Sequence, residues 1–248
     1  METGEKLIAE LEDELMVIGL PNMAAKLDAL YSSEQFTRMD HLSLIAELIG
    51  PEYQDKVTKR VNNRLRNAKL IGAPEDLEEC RDSKTREYLP AGITTQLASM
   101  RFVRDGLNVC ILGPSGSGKT YLAKALGVVA CNDFKVEYHH CDEFFAQLAE
   151  LRERDFVKFE KRLRILTKLD LLIIDDFLLN AINDECEIKL LVTVLEKRIE
   201  ACRSTVVCSQ REPKSWKTMM RNDEVVSDAV MKRATKHFTV VINPKAAS

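Results

Sequence analysis

Between residues 4 and 70, apolar positions recur every three or four residues, the spacing of one helix face. Leu7, Leu11, Leu15 and Ile18 form a first stripe, which Gly19-Leu20-Pro21 interrupts. Met23, Leu27 and Leu30 predict a second helix, and Leu42, Ile45 and Leu48 a third. Gly50-Pro51 reads as the end of that helix and the start of a fourth, with the proline in the first turn. Val57, Val61, Leu65 and Ala68 are the fourth stripe. From about residue 93 the pattern changes. Short apolar runs, NVCIL (108–112), KVEYHH (135–140), LDLLIID (169–175), STVVCS (204–209) and HFTVVI (237–242), alternate with helical segments, notably 119–131, 142–166 and 184–202. Strands that are apolar without alternation, separated by helices, predict an α/β fold with a five-stranded parallel sheet covered on both faces. Gly72, Pro74 and Pro90 lie in a charged stretch between the two patterns. The chain therefore divides into an all-helical domain at 1–72, a linker at 73–92 and an α/β domain at 93–248.

Composition adds little to the fold but separates the halves. The chain has 248 residues, 45% hydrophobic and 30% charged, with a net charge of −3. Residues 1–90 carry 12 Lys/Arg against 18 Asp/Glu, and residues 91–248 carry 24 against 21. An acidic first third thus precedes a mildly basic body. The seven cysteines show no CxxC pair or metal-ligand spacing and suit a reducing compartment. METGEKLIAELEDEL is acidic and amphipathic, unlike a signal peptide, and no apolar run approaches the ~20 residues of a membrane span. A cytoplasmic location without membrane contact is expected.

The chemistry begins directly after the first predicted strand of the α/β domain. GPSGSGKT, residues 113–120, matches the phosphate-loop pattern GxxxxGK[ST] in full. Glycines at Gly113, Gly116 and Gly118, with Pro114, Ser115 and Ser117 between them, let backbone N–H groups turn inward around phosphate oxygens. The helix that follows, through Lys119, Thr120 and Tyr121, adds its positive end. Lys119 is placed on the β- and γ-phosphates of ATP, and the Thr120 hydroxyl on Mg²⁺. LDLLIIDDF (169–177) ends a buried run on two carboxylates. In phosphate-loop folds a second apolar strand, expected beside the first, brings an acid to the metal. Asp175 fits that role, and Asp176 is positioned to polarise the attacking water.

These stretches, taken in order, resemble the IstB/DnaC-like branch of the AAA+ ATPases: the ATP-binding helpers of bacterial insertion-sequence transposition and the loaders of replicative helicases. LxxxGLPNMAAKLDAL resembles that family's opening, and RLRNAKL ends a basic helix before the ATPase, as in transposition helpers. NVCILGPSGSGKTYLAKALG, DLLIIDDF, STVVCSQREPKSWKTMM and VVSDAVMKRATKHFTVVI follow in family order. The resemblance implies an AAA+ ATPase domain with ATP and Mg²⁺ as cofactors. Asp176 stands where most of the branch has Glu. Gln210 stands at the polar sensor position, often Asn. Arg233 aligns with the arginine supplied to a neighbouring subunit's nucleotide, although Lys232 precedes it where the family usually has Asp. The family usually continues into a segment with a further nucleotide-sensing arginine, for which the sequence offers no candidate.

The same resemblance directs attention to basic clusters as sites for duplex DNA. Lys56, Lys59, Arg60, Arg64, Arg66 and Lys69 crowd one helix without an acid after Asp55, and a second cluster runs from Arg152 to Lys168. Few aromatics interleave with this charge, which disfavours a single-strand stacking surface. Trp216 is expected in the core, and His139 and His140 as structural residues. The implied function is an ATP-dependent, homo-oligomeric DNA-binding ATPase that presents target DNA to a transposase. The alternatives are a DnaC-like loader acting on a replicative helicase, and an ATP-gated scaffold that barely hydrolyses.

Overall fold

The computed structural model describes residues 2–33, 36–74, 76–221 and 223–245. It separates into two compact units, Met1–Asn63 and Arg64–Ser248, each taken by itself below.

The first unit is helical. α1 (Glu2–Val17) packs on α2 (Pro21–Tyr31), whose inward face is Ala24, Leu27 and Leu30. Gly19, at φ 79°, makes the turn between them. α3 (His41–Asn67) begins where Asp40 accepts the Leu42 and Ser43 N–H groups at 3.0 Å. It then runs without a break through Gly50-Pro51, where the sequence predicted two helices. A first-turn proline and an interior proline share the same φ, and continuing the helix forfeits one N–H bond rather than the whole turn. Glu52, one residue on, is buried and accepts the Asn22 N–H at 3.0 Å, which ties this stretch to α2.

The second unit begins inside α3, so Arg64 to Leu70, expected with the helical domain, pack in the α/β body. Ala68 and Leu70 are buried there, and Arg64 donates to the carbonyls of Cys131 (3.2 Å) and Asn132 (2.5 Å). The segment expected as a linker supplies a strand, β1 (Arg86–Leu89), with Cys80 and Tyr88 buried beside it. Four residues with a single buried side chain carry too little pattern to be read as a strand, and the partner strand lies some 150 residues away. Short helices α4 (Ile93–Ala98) and α5 (Arg101–Arg104) follow.

All five predicted strands form: β2 (Val109–Leu112), β3 (Val136–His140), β4 (Leu171–Asp175), β5 (Ser204–Ser209) and β6 (Phe238–Pro244). They pair in parallel, and β1 adds an antiparallel sixth strand on β6, giving the order β1-β6-β2-β5-β4-β3. The acid-bearing strand β4 is therefore not beside β2; β5 lies between them. Among the connecting helices are α6 (Lys119–Ala130), α7 (Cys141–Arg154), α8 (Phe156–Lys168), α9 (Glu185–Glu200), α10 (Trp216–Met219) and α11 (Glu224–Ala234). The single helix predicted over 142–166 is divided at Asp155. That residue turns extended and caps α8 by accepting the Lys158 N–H at 2.9 Å.

Alternate β4 residues feed two cores. Leu171 and Ile173 face α6, Leu122 and Leu126, while Leu172 and Ile174 face Phe145, Leu191 and Trp216. Trp216 is buried against Phe177 at 5.0 Å, as the sequence suggested.

One buried cation closes the amino edge. Arg198, 0% exposed, donates to Thr205 Oγ1 (3.0 Å) and to the carbonyls of Leu166, Leu169 (3.1 Å) and Ser204 (2.5 Å). Burial draws its pKa down to about 9, which still leaves it charged at neutral pH. Arg198→Ala strands these acceptors and should lower unfolding free energy by about 3 kcal/mol or more in denaturant titrations. Arg198→Lys, lacking the planar fork, should recover only part of that loss.

Candidate nucleotide site

The phosphate loop leaves β2 at its carboxyl end and enters α6 at Lys119. Gly113, Gly116 and Gly118 take φ values of 158°, 74° and 99°, and no other residue adopts all three without strain. Space requires glycine at 113 as well: a Cβ there would stand 2.6 Å from the Ile242 carbonyl. Pro114, Ser115 and Gly116 form the exposed crest. Lys119 is buried and donates to the Pro114 carbonyl at 2.7 Å, closing the loop on itself. Burial pulls its pKa down, against the pull of the nearby Asp175 and Asp176 carboxylates. Ser117 is 3% exposed, and its hydroxyl has no hydrogen-bond partner. An orphaned hydroxyl inside a loop of inward-turned backbone is a cradle for phosphate oxygens. Thr120 and Tyr121 occupy the first turn of α6, both half-buried, and the Tyr121 hydroxyl meets Glu79.

The paired acids differ in environment. Asp175 is 1% exposed; its oxygens accept the Tyr138 hydroxyl (2.6 Å) and the Asp176 N–H (2.9 Å). Burial and then the Asp175 carboxylate raise the Tyr138 pKa, so that tyrosine remains a donor. Asp176 is half-exposed at φ 51°, a left-handed conformation that turns its side chain off the strand axis. Its Oδ2 lies 3.5 Å from His140 Nδ1. Tyr138 and His140 belong to the strand beside β4 and stand edge to face at 5.4 Å. Neither was singled out as a partner of the acids, because the β3–β4 register is invisible in a linear pattern. His139 keeps to structure, on Glu137 at 2.8 Å and stacked on Phe144. Carboxylate and hydroxyl oxygens from Asp175 and Thr120 are the hard donors that Mg²⁺ takes. With nucleotide, Mg²⁺ would neutralise charge on the β- and γ-phosphate oxygens.

Gln210 follows β5, between the loop strand and the acid strand. With Gly113, Pro114, Thr239 and Asn243 it lines a cavity of about 650 Å³. Arg233 does not join this group. It ends α11 and donates to Glu196 (2.6 Å) and the Ala229 carbonyl (3.0 Å). Its own carbonyl accepts from Asn108 Nδ2 at 2.9 Å, at the amino end of β2.

The basic residues are distributed rather than gathered. Within the first unit, Lys56 and Lys59 pair with Glu52 (3.7 Å) and Asp55 (2.8 Å), and Arg60 is exposed. Within the second, Arg64 faces the end of α6, while Arg66 and Lys69 are exposed. The second cluster is largely committed internally: Arg154 to Glu150, Lys158 to Asp155, Arg162 to Glu137 and Arg152 to Cys186.

Residues 13–247 match the IstB-like ATP binding protein family. The chain belongs to that family. Among its relatives, y4pL of Sinorhizobium fredii (strain NBRC 101917 / NGR234), named as an insertion-sequence ATP-binding protein, is 31% identical, covering 89% of this chain and 88% of that protein. A Bacillus thuringiensis subsp. berliner protein, named likewise for its insertion sequence, is 33% identical over 94% and 90%. In fold, this IstB-like chain resembles AMPPCP-bound DnaA from Aquifex aeolicus (TM-score 0.54, 20% identity, 68% of this chain and 50% of that one). It also resembles DnaI (TM-score 0.52, 18% identity, 71% and 90%). The IstB-like chain spans about half the length of DnaA, and at these identities the likeness is one of fold. Loop 113–120 is accordingly the candidate nucleotide loop of this member of the IstB-like ATP binding protein family.

Ser117→Ala removes a buried hydroxyl that nothing satisfies without nucleotide. The variant should be more stable than the parent by about 1 kcal/mol in nucleotide-free thermal melts. It should also bind ATP more weakly; equal affinity in calorimetry would remove Ser117 from the cradle.

Proposed function

We propose that this chain is an ATPase that couples ATP to duplex DNA and assists insertion-sequence transposition. In the ATP state it assembles as a homo-oligomer on DNA and presents that DNA to a transposase; hydrolysis resets the assembly. Lys119 and the loop hold the phosphates, Asp176 orients and accepts the proton of the attacking water, and the Gln210 amide steadies that water or the γ-phosphate. The reading is supported above all by the position of Arg233. Its backbone bonds at the amino end of β2, whereas the phosphate loop follows the carboxyl end of the same strand. A four-residue strand spans about 13 Å, so Arg233 serves a second copy's nucleotide better than its own. An arginine there offsets charge that develops on the transferred phosphoryl group.

Arg233→Ala should bind ATP within about twofold of wild type but release phosphate about a thousandfold more slowly in the presence of duplex DNA. Mixing it with Lys119→Ala, which cannot bind ATP yet keeps Arg233, should restore part of the rate. Normal turnover by Arg233→Ala alone would sink the shared-site model.

Lys56, Lys59, Arg60, Arg66 and Lys69 are the proposed phosphate contacts, non-specific in sequence. A helicase-loader reading draws support from the pairing of Lys56 and Lys59 with neighbouring acids, which reduces the free charge on that face. The double reversal Lys59→Glu with Arg60→Glu separates the two. Duplex affinity should fall at least tenfold, with a shallower dependence on salt; intact DNA binding with lost capture of a replicative helicase would favour the loader.

A further inference from the structure

β1 carries a cation to the nucleotide loop from the side opposite the acids. The space where a Cβ on Gly118 would stand is taken by Arg86: Nη1 lies 2.6 Å from that point and Cζ 3.0 Å. A guanidinium therefore rests against the loop one residue before Lys119. Around it are the Tyr88 hydroxyl and the Cys80 thiol, and among the described residues it forms no ion pair with a carboxylate. Two cations thus meet at one loop with the unpartnered Ser117 hydroxyl buried between Gly116 and Gly118.

Arg86 is also held in place. Its N–H donates to Ser83 Oγ at 3.1 Å, the Tyr88 N–H donates to Asp82 Oδ1 at 2.7 Å, and β1 pairs with β6 from Arg86↔Pro244 to Leu89↔Val241. An arginine fixed by its backbone loses little freedom on binding a phosphate, and its planar fork suits one. Sheet order decides which phosphate. Gln210 follows β5 and Asp175 ends β4 on one side of β2, and Arg86 stands on β1 beyond β6 on the other. The γ-phosphate belongs with the acids, so the opposite, ribose-proximal end of the chain of phosphates belongs with Arg86.

We propose that Arg86 is a nucleotide-binding residue that holds the α-phosphate end of ATP and of ADP within its own subunit. The proposal rests on the reading of residues 113–120 as the ATP loop. It predicts an arginine that keeps its contact after hydrolysis, unlike Arg233.

The test is the affinity of Mg²⁺-ATP and Mg²⁺-ADP, by calorimetry, for wild type, Arg86→Ala, Arg86→Lys and Lys119→Ala. Arg86→Ala should weaken ATP and ADP alike, about tenfold or more, and Arg86→Lys should recover part of that. The nucleotide-free melting temperature should stay put while its increase with ADP shrinks. Weakening of ATP alone would overturn the assignment, as would unchanged affinity with a lowered nucleotide-free melting temperature, the mark of a purely structural arginine. If Arg86→Ala binds normally while Lys119→Ala does not bind, this proposal falls and the ATP loop stands. If Lys119→Ala binds both nucleotides normally, the ATP-loop reading falls first.

Discussion

Ending a fully buried strand on a carboxylate is the constraint around which the α/β unit is arranged. β4 is buried at every position, so the Asp175 oxygens need hydrogen-bond donors within the fold. The Tyr138 hydroxyl and the Asp176 N–H supply two. One comes from the middle of the adjacent strand and one from the turn that follows. The turn must be sharp, and Asp176 takes a left-handed conformation to make it. Satisfying the first carboxylate thus aims the second out of the core, toward the phosphate loop and His140. A stability requirement and the placement of the second acid are met by the same three residues.

The order of the sheet then divides the nucleotide site. β5 lies between the loop strand and the acid strand, and Gln210 follows it there. β6 and β1 form the other flank, where Arg86 rests on Gly118. In parallel sheets the connecting helices cover both faces, so only the strand ends are open to a ligand. Arg198 ties together backbone carbonyls beside the amino ends of β4 and β5, whereas the phosphate loop follows the carboxyl end of β2. Arg233, bonded at the amino end of β2, is consequently remote from its own loop.

The charges outside this site follow local rules. Lys59 with Asp55, Lys158 with Asp155 and Arg154 with Glu150 are pairs three or four residues apart on one helix. Such exposed pairs are screened by solvent and contribute little to stability. Arg64 illustrates a stronger commitment within the second unit, since it donates to carbonyls at the end of α6.

Sequence pattern alone determined five of the six strands, the phosphate loop and the acid pair, because each is local. An apolar run of five residues, a glycine spacing or two adjacent aspartates carries its physical meaning within a few positions. The same locality explains the misreadings. Gly50-Pro51 and Asp155 are punctuation whose outcome depends on what the helices pack against, and the strand Arg86–Leu89 has no pattern of its own. Tertiary structure decided everything that depends on pairing: β5 between β2 and β4, Tyr138 under Asp175, His140 beside Asp176, Arg86 against Gly118 and Arg233 on Glu196. Strand order and register are set by burial of both sheet faces at once, a condition on the whole chain that no single stretch of it contains.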